Sequence, residues 1–253
     1  MRIVFILLEA LLFFSCNHRQ STELLKIKPI DELRPVIPIS DFADSIAFIQ
    51  LDNRLLLSSY GNSCFTDSFF VVSVAEGILK YSYTGELLMK IGGIGQGPME
   101  YNRNNLMTID IRNKRIRVYS IPEKVMIDYS YDGGFWNRVH YDLPDDTYGY
   151  PTMMRVLANK CYFFYTSMSG LSDPYYWVIT DTCGQSLEIK QKHGQPVLKR
   201  GYACGTYCTS SSDNSLLYYN LFNDTIFRFT EQGGCLPFYG SKESIVYQYQ
   251  LKI

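Results

Sequence analysis

YSYTGELL at residues 81–88 returns as YSYDGGFW at residues 129–136. Gly85 and Gly133 hold the same place in the two strings, 48 residues apart. A third copy, VITDTCGQSLEI at 178–189, puts Gly184 51 residues further on, and a fourth, FRFTEQGGCL at 227–236, puts Gly233 49 beyond that. Each copy reads as a strand, a tight turn with glycine available for positive φ, and a second strand. Upstream of each turn lies another apolar run: FVVSV (70–74), RIRVYS (115–120), CYFFY (161–165) and LLYYN (216–220). In the third copy this run lies about six residues further from its glycine than in the others, which predicts an insertion there. At least three strands fit in each unit, with room for a fourth. Four strands per repeat of about 49 residues is the arithmetic of a β-propeller. A β-sandwich needs no such repeat, and the repeats of a β-solenoid are shorter.

Composition agrees. Of 253 residues, 46% are apolar, 19% charged and 15% aromatic, as expected of a core-forming chain rich in strands. No long stretch has a 3.6-residue apolar period, so helix should be scarce. The net charge is −1 with no basic stripe, which argues against a nucleic-acid partner.

The first residues read as an address. Arg2 precedes the apolar run IVFILLEALLFF, residues 3–14, interrupted by Glu9. Twelve helical residues span about 18 Å, against roughly 30 Å of membrane hydrocarbon, so the run suits a secretory signal better than a membrane span. Ser15 and Cys16 follow directly. This ending resembles a bacterial lipoprotein signal, and the resemblance implies lipidation of Cys16 and anchoring to a bilayer surface of the cell envelope. The residues after Cys16 carry one acid in their first seven, which favours a periplasm-facing location. The expected organisation is a signal peptide at 1–15, a tether at 16–40 containing Pro29, Pro35 and Pro38, and a propeller from 41 to 253.

Between the first two turns lies KIGGIGQGPMEYNRNNLMTIDIRNKRIRVYS, residues 90–120. This stretch, with Gly95, Gly97, Pro98, Glu100, Tyr101 and Asp110, resembles the junction of the six-bladed β-propeller lipoproteins of the Bacteroidota, relatives of the NHL-repeat propellers. ISDFADSIAFIQLD, residues 39–52, is similar to that family's opening strand. The resemblance implies six four-stranded blades. The residues after the tether hold about four repeats of roughly 49, so four to five blades are expected here, and a C-terminally truncated reading frame accounts for the difference. An unclosed ring exposes sheet edges, which would favour self-association.

The chemistry-bearing residues are few. GGIGQGP lacks the Lys-Ser/Thr of a phosphate loop and reads as a structural junction. Cys64, Cys161, Cys183, Cys204, Cys208 and Cys235 lack paired zinc-ligand spacing; they read as independent thiols, and a Cys204–Cys208 bridge requires a turn between them. His140 and His193 stand outside the tether, too few for a three-histidine metal site, and no cofactor motif is present. Asp142, Asp145 and Asp146 in YDLPDDTYGY read as a solvated turn, with acid–base chemistry the alternative. The inserted stretch TSMSGLSDPYYWVI, 166–179, offers Asp173, Tyr175, Tyr176 and Trp177 as a ligand surface for a glycan or peptide, since insertions in propellers fall in binding loops. Core packing is the competing reading for Tyr176 and Trp177. The function this supports is a membrane-anchored binding or scaffolding module. A glycan- or peptide-acting lyase or hydrolase is the alternative, and a non-functional fragment a third.

Overall fold

The computed structural model describes residues 25–27, 38–41, 43–52, 54–55, 57–144, 150–165, 175–191, 206–210, 214–220 and 225–241. They form a β-propeller of four blades. After β1 (Leu25–Ile27), blade 1 holds β2 (Tyr60–Phe65), β3 (Phe69–Val74), β4 (Gly77–Ser82) and β5 (Leu87–Ile91). A junction with β6 (Gly93–Ile94) and β7 (Glu100–Tyr101) leads to blade 2: β8 (Asn105–Asp110), β9 (Arg115–Ser120), β10 (Val125–Ser130) and β11 (Phe135–His140). Blade 3 holds β12 (Pro151–Leu157), β13 (Lys160–Tyr165), β14 (Tyr175–Asp181) and β15 (Ser186–Gln191). Blade 4 holds β16 (Thr206–Ser210), β17 (Leu216–Asn220), β18 (Thr225–Phe229) and β19 (Cys235–Ser241). Every blade is an antiparallel meander in chain order. The first strands lie innermost: β8 rests against β2 and β12, and β12 touches β16.

The repeat noted in the sequence is the hairpin between the third and fourth strands. Gly85, Gly133, Gly184 and Gly233 have φ of +86°, +81°, +89° and +86°. Each donates its N–H to the carbonyl three residues back, on Ser82, Ser130, Asp181 and Thr230. A side chain pays for that backbone conformation, and glycine does not.

Along the middle strands side chains alternate between the two faces, and both faces of blades 2 and 3 are buried against neighbouring blades. Along β13, Cys161, Phe163 and Tyr165 enter the core between blades 2 and 3, while Tyr162 and Phe164 enter the core between blades 3 and 4. Three such inter-blade cores are present among the described residues.

Leu25–Ile27, in the stretch expected to be a tether, pair in parallel with Tyr239–Ser241 and make blade 4 five-stranded. The Gly-rich loop is a junction built on Glu100, whose carboxylate accepts the Gly97 N–H at 2.9 Å. A Cβ on Gly95 would collide with the same carboxylate. The loop's donor is thus spent on the chain's own acid. Tyr101 completes the junction: its buried hydroxyl accepts the Ile78 N–H and donates to the Ile91 carbonyl, both at 2.9 Å.

The turn glycines are not equally crowded. A Cβ on Gly184 would collide with the His140 carbonyl oxygen, a fixed backbone group, whereas one on Gly233 would meet only the flexible Lys160 Nζ at 3.2 Å. Gly233→Ala is expected to destabilise by about 1–3 kcal/mol through its φ alone, and Gly184→Ala by more. Urea unfolding midpoints check the order, and equal losses would refute the crowding argument.

Candidate functional site

Asp110 ends β8 and is only 4% exposed. It accepts the Asn113 N–H at 3.1 Å and Asn113 Nδ2 at 2.9 Å, fixing the turn into β9. Asn113 Nδ2 also donates to Asn159 Oδ1 of blade 3 at 3.1 Å. Asn159 holds a φ of +59° in its own turn. These three residues stitch blade 2 to blade 3 on the face where first strands turn into second strands.

Two spaces meet at the stitch. A cavity of about 570 Å³ lies among the inner strands, lined by Cys64, Thr108, Asp110, Arg155 and Asn159. Arg112 reaches over it to Glu231 of blade 4, 3.5 Å away. Arg155 Nη1 donates to the Met154 carbonyl at 2.8 Å. Beside the cavity, a groove of about 550 Å³ runs between blades 2 and 3, bounded by Asp110, Asn113, Asn159, Trp136, Asn137 and Thr182. Trp136 is 61% exposed, with the Arg115 guanidinium 3.6 Å from its ring centroid. Asn137 Oδ1, buried in the groove wall, has no hydrogen-bond partner among the described residues.

The groove floor is a lock. Arg117 donates to both oxygens of Asp128, at 2.8 and 3.0 Å, and to Cys161 Sγ of blade 3 at 3.1 Å. Tyr141 OH lies 3.4 Å from the same guanidinium. Burial alone would lower the Arg117 pKa; its hydrogen bonds to Asp128 outweigh that and hold it above the usual value. Arg117 is fully engaged and serves the blade seam. The polar groups facing the two spaces include amides, guanidinium ions, the carboxylates of Asp110 and Glu231 and, in the groove, one indole, beside aliphatic side chains and thiols; amides beside an indole can bind a polar ligand by hydrogen bonding and stacking.

The residues singled out in the sequence are placed elsewhere. Trp177 is 1% exposed, donates Nε1–H to Glu188 at 2.9 Å and packs against Tyr218, Phe227 and Phe229 between blades 3 and 4. Tyr175 and Tyr176 begin β14 half-buried, Tyr175 edge-on to Tyr165. Asp173 lies outside the described residues, as do Cys16, Asp145, Asp146, His193 and Cys204. Cys208 has a described backbone position in β16 only. His140 and Asp142 are exposed, and the Asp142 N–H donates to the Gly184 carbonyl. Cys64, Cys161, Cys183 and Cys235 are free thiols. Among the described residues no three His, Cys, Asp or Glu side chains gather as a metal site, and no helix is long and apolar enough to cross a membrane.

Trp136 had a signal in the repeat. Three residues after the turn glycine, the other copies carry Leu88, Leu187 and Leu236, all exposed at 40–51%. Blade 2 alone has an indole there.

A family model described as a domain of unknown function (DUF4934) matches residues 25–242. No curated protein matches the chain by sequence. Among solved structures, a candidate exported protein of Bacteroides fragilis superposes with a TM-score of 0.64 at 17% identity, covering 90% of this chain and 64% of its own. A DUF4221 member from Bacteroides vulgatus reaches 0.49 at 10% identity, covering 77% and 61%. Virginiamycin B lyase from Staphylococcus aureus reaches 0.46 at 15% identity, covering 73% and 58%. The chain thus spans less than two thirds of each of these proteins. The first likeness is one of fold.

Two outcomes test the packing. Trp177→Ala should cost about 3–5 kcal/mol of stability, the usual range for emptying an aromatic core site; a loss below about 1 kcal/mol would contradict its place between blades 3 and 4. Burial also pushes the phenols of Tyr101 and Tyr162 up to about 12, and raises Tyr129, Tyr141, Cys64 and Cys161. Groups raised in this way favour the fold fully below their unfolded values, 9.0 for the thiols and 10.0 for the phenols. That stabilisation is lost as pH rises through the folded values. Unfolding free energy measured against pH should fall from 9 upward, and a flat profile to pH 12 would count against it.

Proposed function

The chain belongs to the DUF4934 family, and from that premise we propose that it is a lipid-anchored binding module of the bacterial cell envelope whose ligand is a saccharide. The observation that carries the ligand class is the exposed Trp136 ring beside the amides of Asn113, Asn137 and Asn159 and the Asp110 carboxylate, in a groove of about 550 Å³. A pyranose has an apolar C–H face and a rim of hydroxyls. An indole takes the first, and planar amides take the second. Arg115 holds the ring in place, so little side-chain freedom is lost on binding.

The anchor rests on the apolar run at 3–14 and the Ser15–Cys16 ending. The fold neighbour described as a candidate exported protein supports an envelope location. The eight residues between Cys16 and β1 would then link the propeller to the membrane surface.

The chain's two tryptophans give the assay. Trp177 is buried and Trp136 exposed, so acrylamide quenching of the native protein reports Trp136. Chito-, cello- and galacturonate oligosaccharides are the probes. At least one should protect the indole, and Trp136→Phe should weaken its binding about tenfold with stability unchanged. If none alters quenching in the folded protein, the saccharide reading fails. Cys16→Ser should move the chain from the membrane fraction to the soluble one.

A further inference from the structure

The arginines around the two spaces are not equally engaged. Arg117 is paired with Asp128 at 2.8 Å and Arg112 with Glu231 at 3.5 Å, and the Arg115 guanidinium lies on the Trp136 ring. Arg155 is the exception. It stands on β12, the innermost strand of blade 3, half-buried in the wall of the 570 Å³ cavity. Its one hydrogen bond among the described residues runs from Nη1 to the carbonyl of its own neighbour, Met154, at 2.8 Å. That bond steadies the side chain and leaves the charge unmatched, because no carboxylate among the described residues lies within ion-pair distance of it.

The cavity's own carboxylates are already committed. Glu231 faces Arg112. Both oxygens of Asp110 accept from Asn113, Oδ1 from its N–H and Oδ2 from its Nδ2. The Arg155 charge acts on the recess instead. Burial pushes the Cys64 thiol of blade 1 up, and Arg155 pulls against it, so the field of this guanidinium extends over the inner strands from blade 3 to blade 1. A steadied guanidinium with unspent N–H groups is a planar fork that matches the two oxygens of a carboxylate. The cavity and the groove share Asp110 and Asn159 in their walls, so they are contiguous.

We infer that the saccharide bound here is an acidic one, a uronate whose carboxylate is taken by Arg155 while another ring of the same chain stacks on Trp136. The inference rests on the saccharide reading of the groove and adds the charge class. Asp110 and Asn159 form the edge over which the sugar chain passes from groove to cavity. Arg155 is the residue that sets specificity: a neutral glycan leaves its guanidinium without a counter-charge, and a uronate supplies one in bidentate geometry.

The test titrates the whole chain with oligogalacturonate and with its fully methyl-esterified form, which carries the same rings without the charge. Acrylamide quenching of Trp136 gives both affinities. The free acid is expected to bind about tenfold or more tightly than the ester. Arg155→Gln should erase that ratio, and Arg155→Lys, which keeps the charge and loses the fork, should reduce it. Quenching-resistant emission from buried Trp177 shows that each variant is folded; the acid–ester comparison in the unsubstituted chain stands without them. Equal affinities for acid and ester overturn the inference and leave the saccharide reading standing. So does protection of Trp136 by cello-oligosaccharide with neither galacturonate form protecting it. A ratio that survives in folded Arg155→Gln overturns the assignment to Arg155. Protection by no saccharide at all removes the saccharide reading and this inference with it.

Discussion

A sheet with apolar side chains on both faces is stable only between two other layers, and this chain is made of such sheets. β9 shows the arrangement in six residues. Ile116 and Val118 face blade 1, and Tyr119 faces blade 3. Arg117, on the same side as Tyr119, is tolerated there because Asp128 and Cys161 take its donors. Each buried aliphatic or aromatic side chain contributes on the order of 1.5–3 kcal/mol, but only while the neighbouring blade stays in place. Stability is therefore shared across seams. Among the described residues no central core would survive the loss of one blade, and blades 1 and 4, at the ends of the stack, each have a face outside the three inter-blade cores.

The seams are spaced by backbone as much as by side chains. The third-to-fourth-strand turns of blades 1 and 3 are pressed on neighbouring backbone, at the Gln50 and His140 carbonyls, and glycine is the residue that allows the approach at Gly85 and Gly184. The same glycine supplies the positive φ. One residue type meets both demands, which is why the repeat survives in glycines while the residues around them vary from Thr-Gly-Glu to Cys-Gly-Gln.

That double constraint explains what the bare sequence revealed. The four glycines, the strand before each and the propeller built on them were legible because they are local and repeat; the expectation of four to five blades narrowed to four among the described residues. Glu100 was legible as part of a junction, although its bond to Gly97 was not. The groove was not legible, because its walls come from two blades: Trp136 and Asn137 from one, Asn159 and Thr182 from the next. Trp177 misled for the opposite reason. An aromatic cluster beside an insertion suggests a binding loop, but β14 has already begun there, and alternation turns Trp177 inward against Phe229. Comparing copies at the third residue after the glycine separates the two tryptophans: that position is exposed in every blade, and in blade 2 it carries Trp136.

The groove and the seam are made of the same residues. Asn113 bridges Asp110 and Asn159, so the polar rim is also the bond between blades 2 and 3. Beneath it Arg117, Asp128 and Cys161 join the same two blades with the guanidinium sealed from water. A ligand in the groove would touch both blades and bind only when they are correctly stacked. Binding energy would then appear as seam stability.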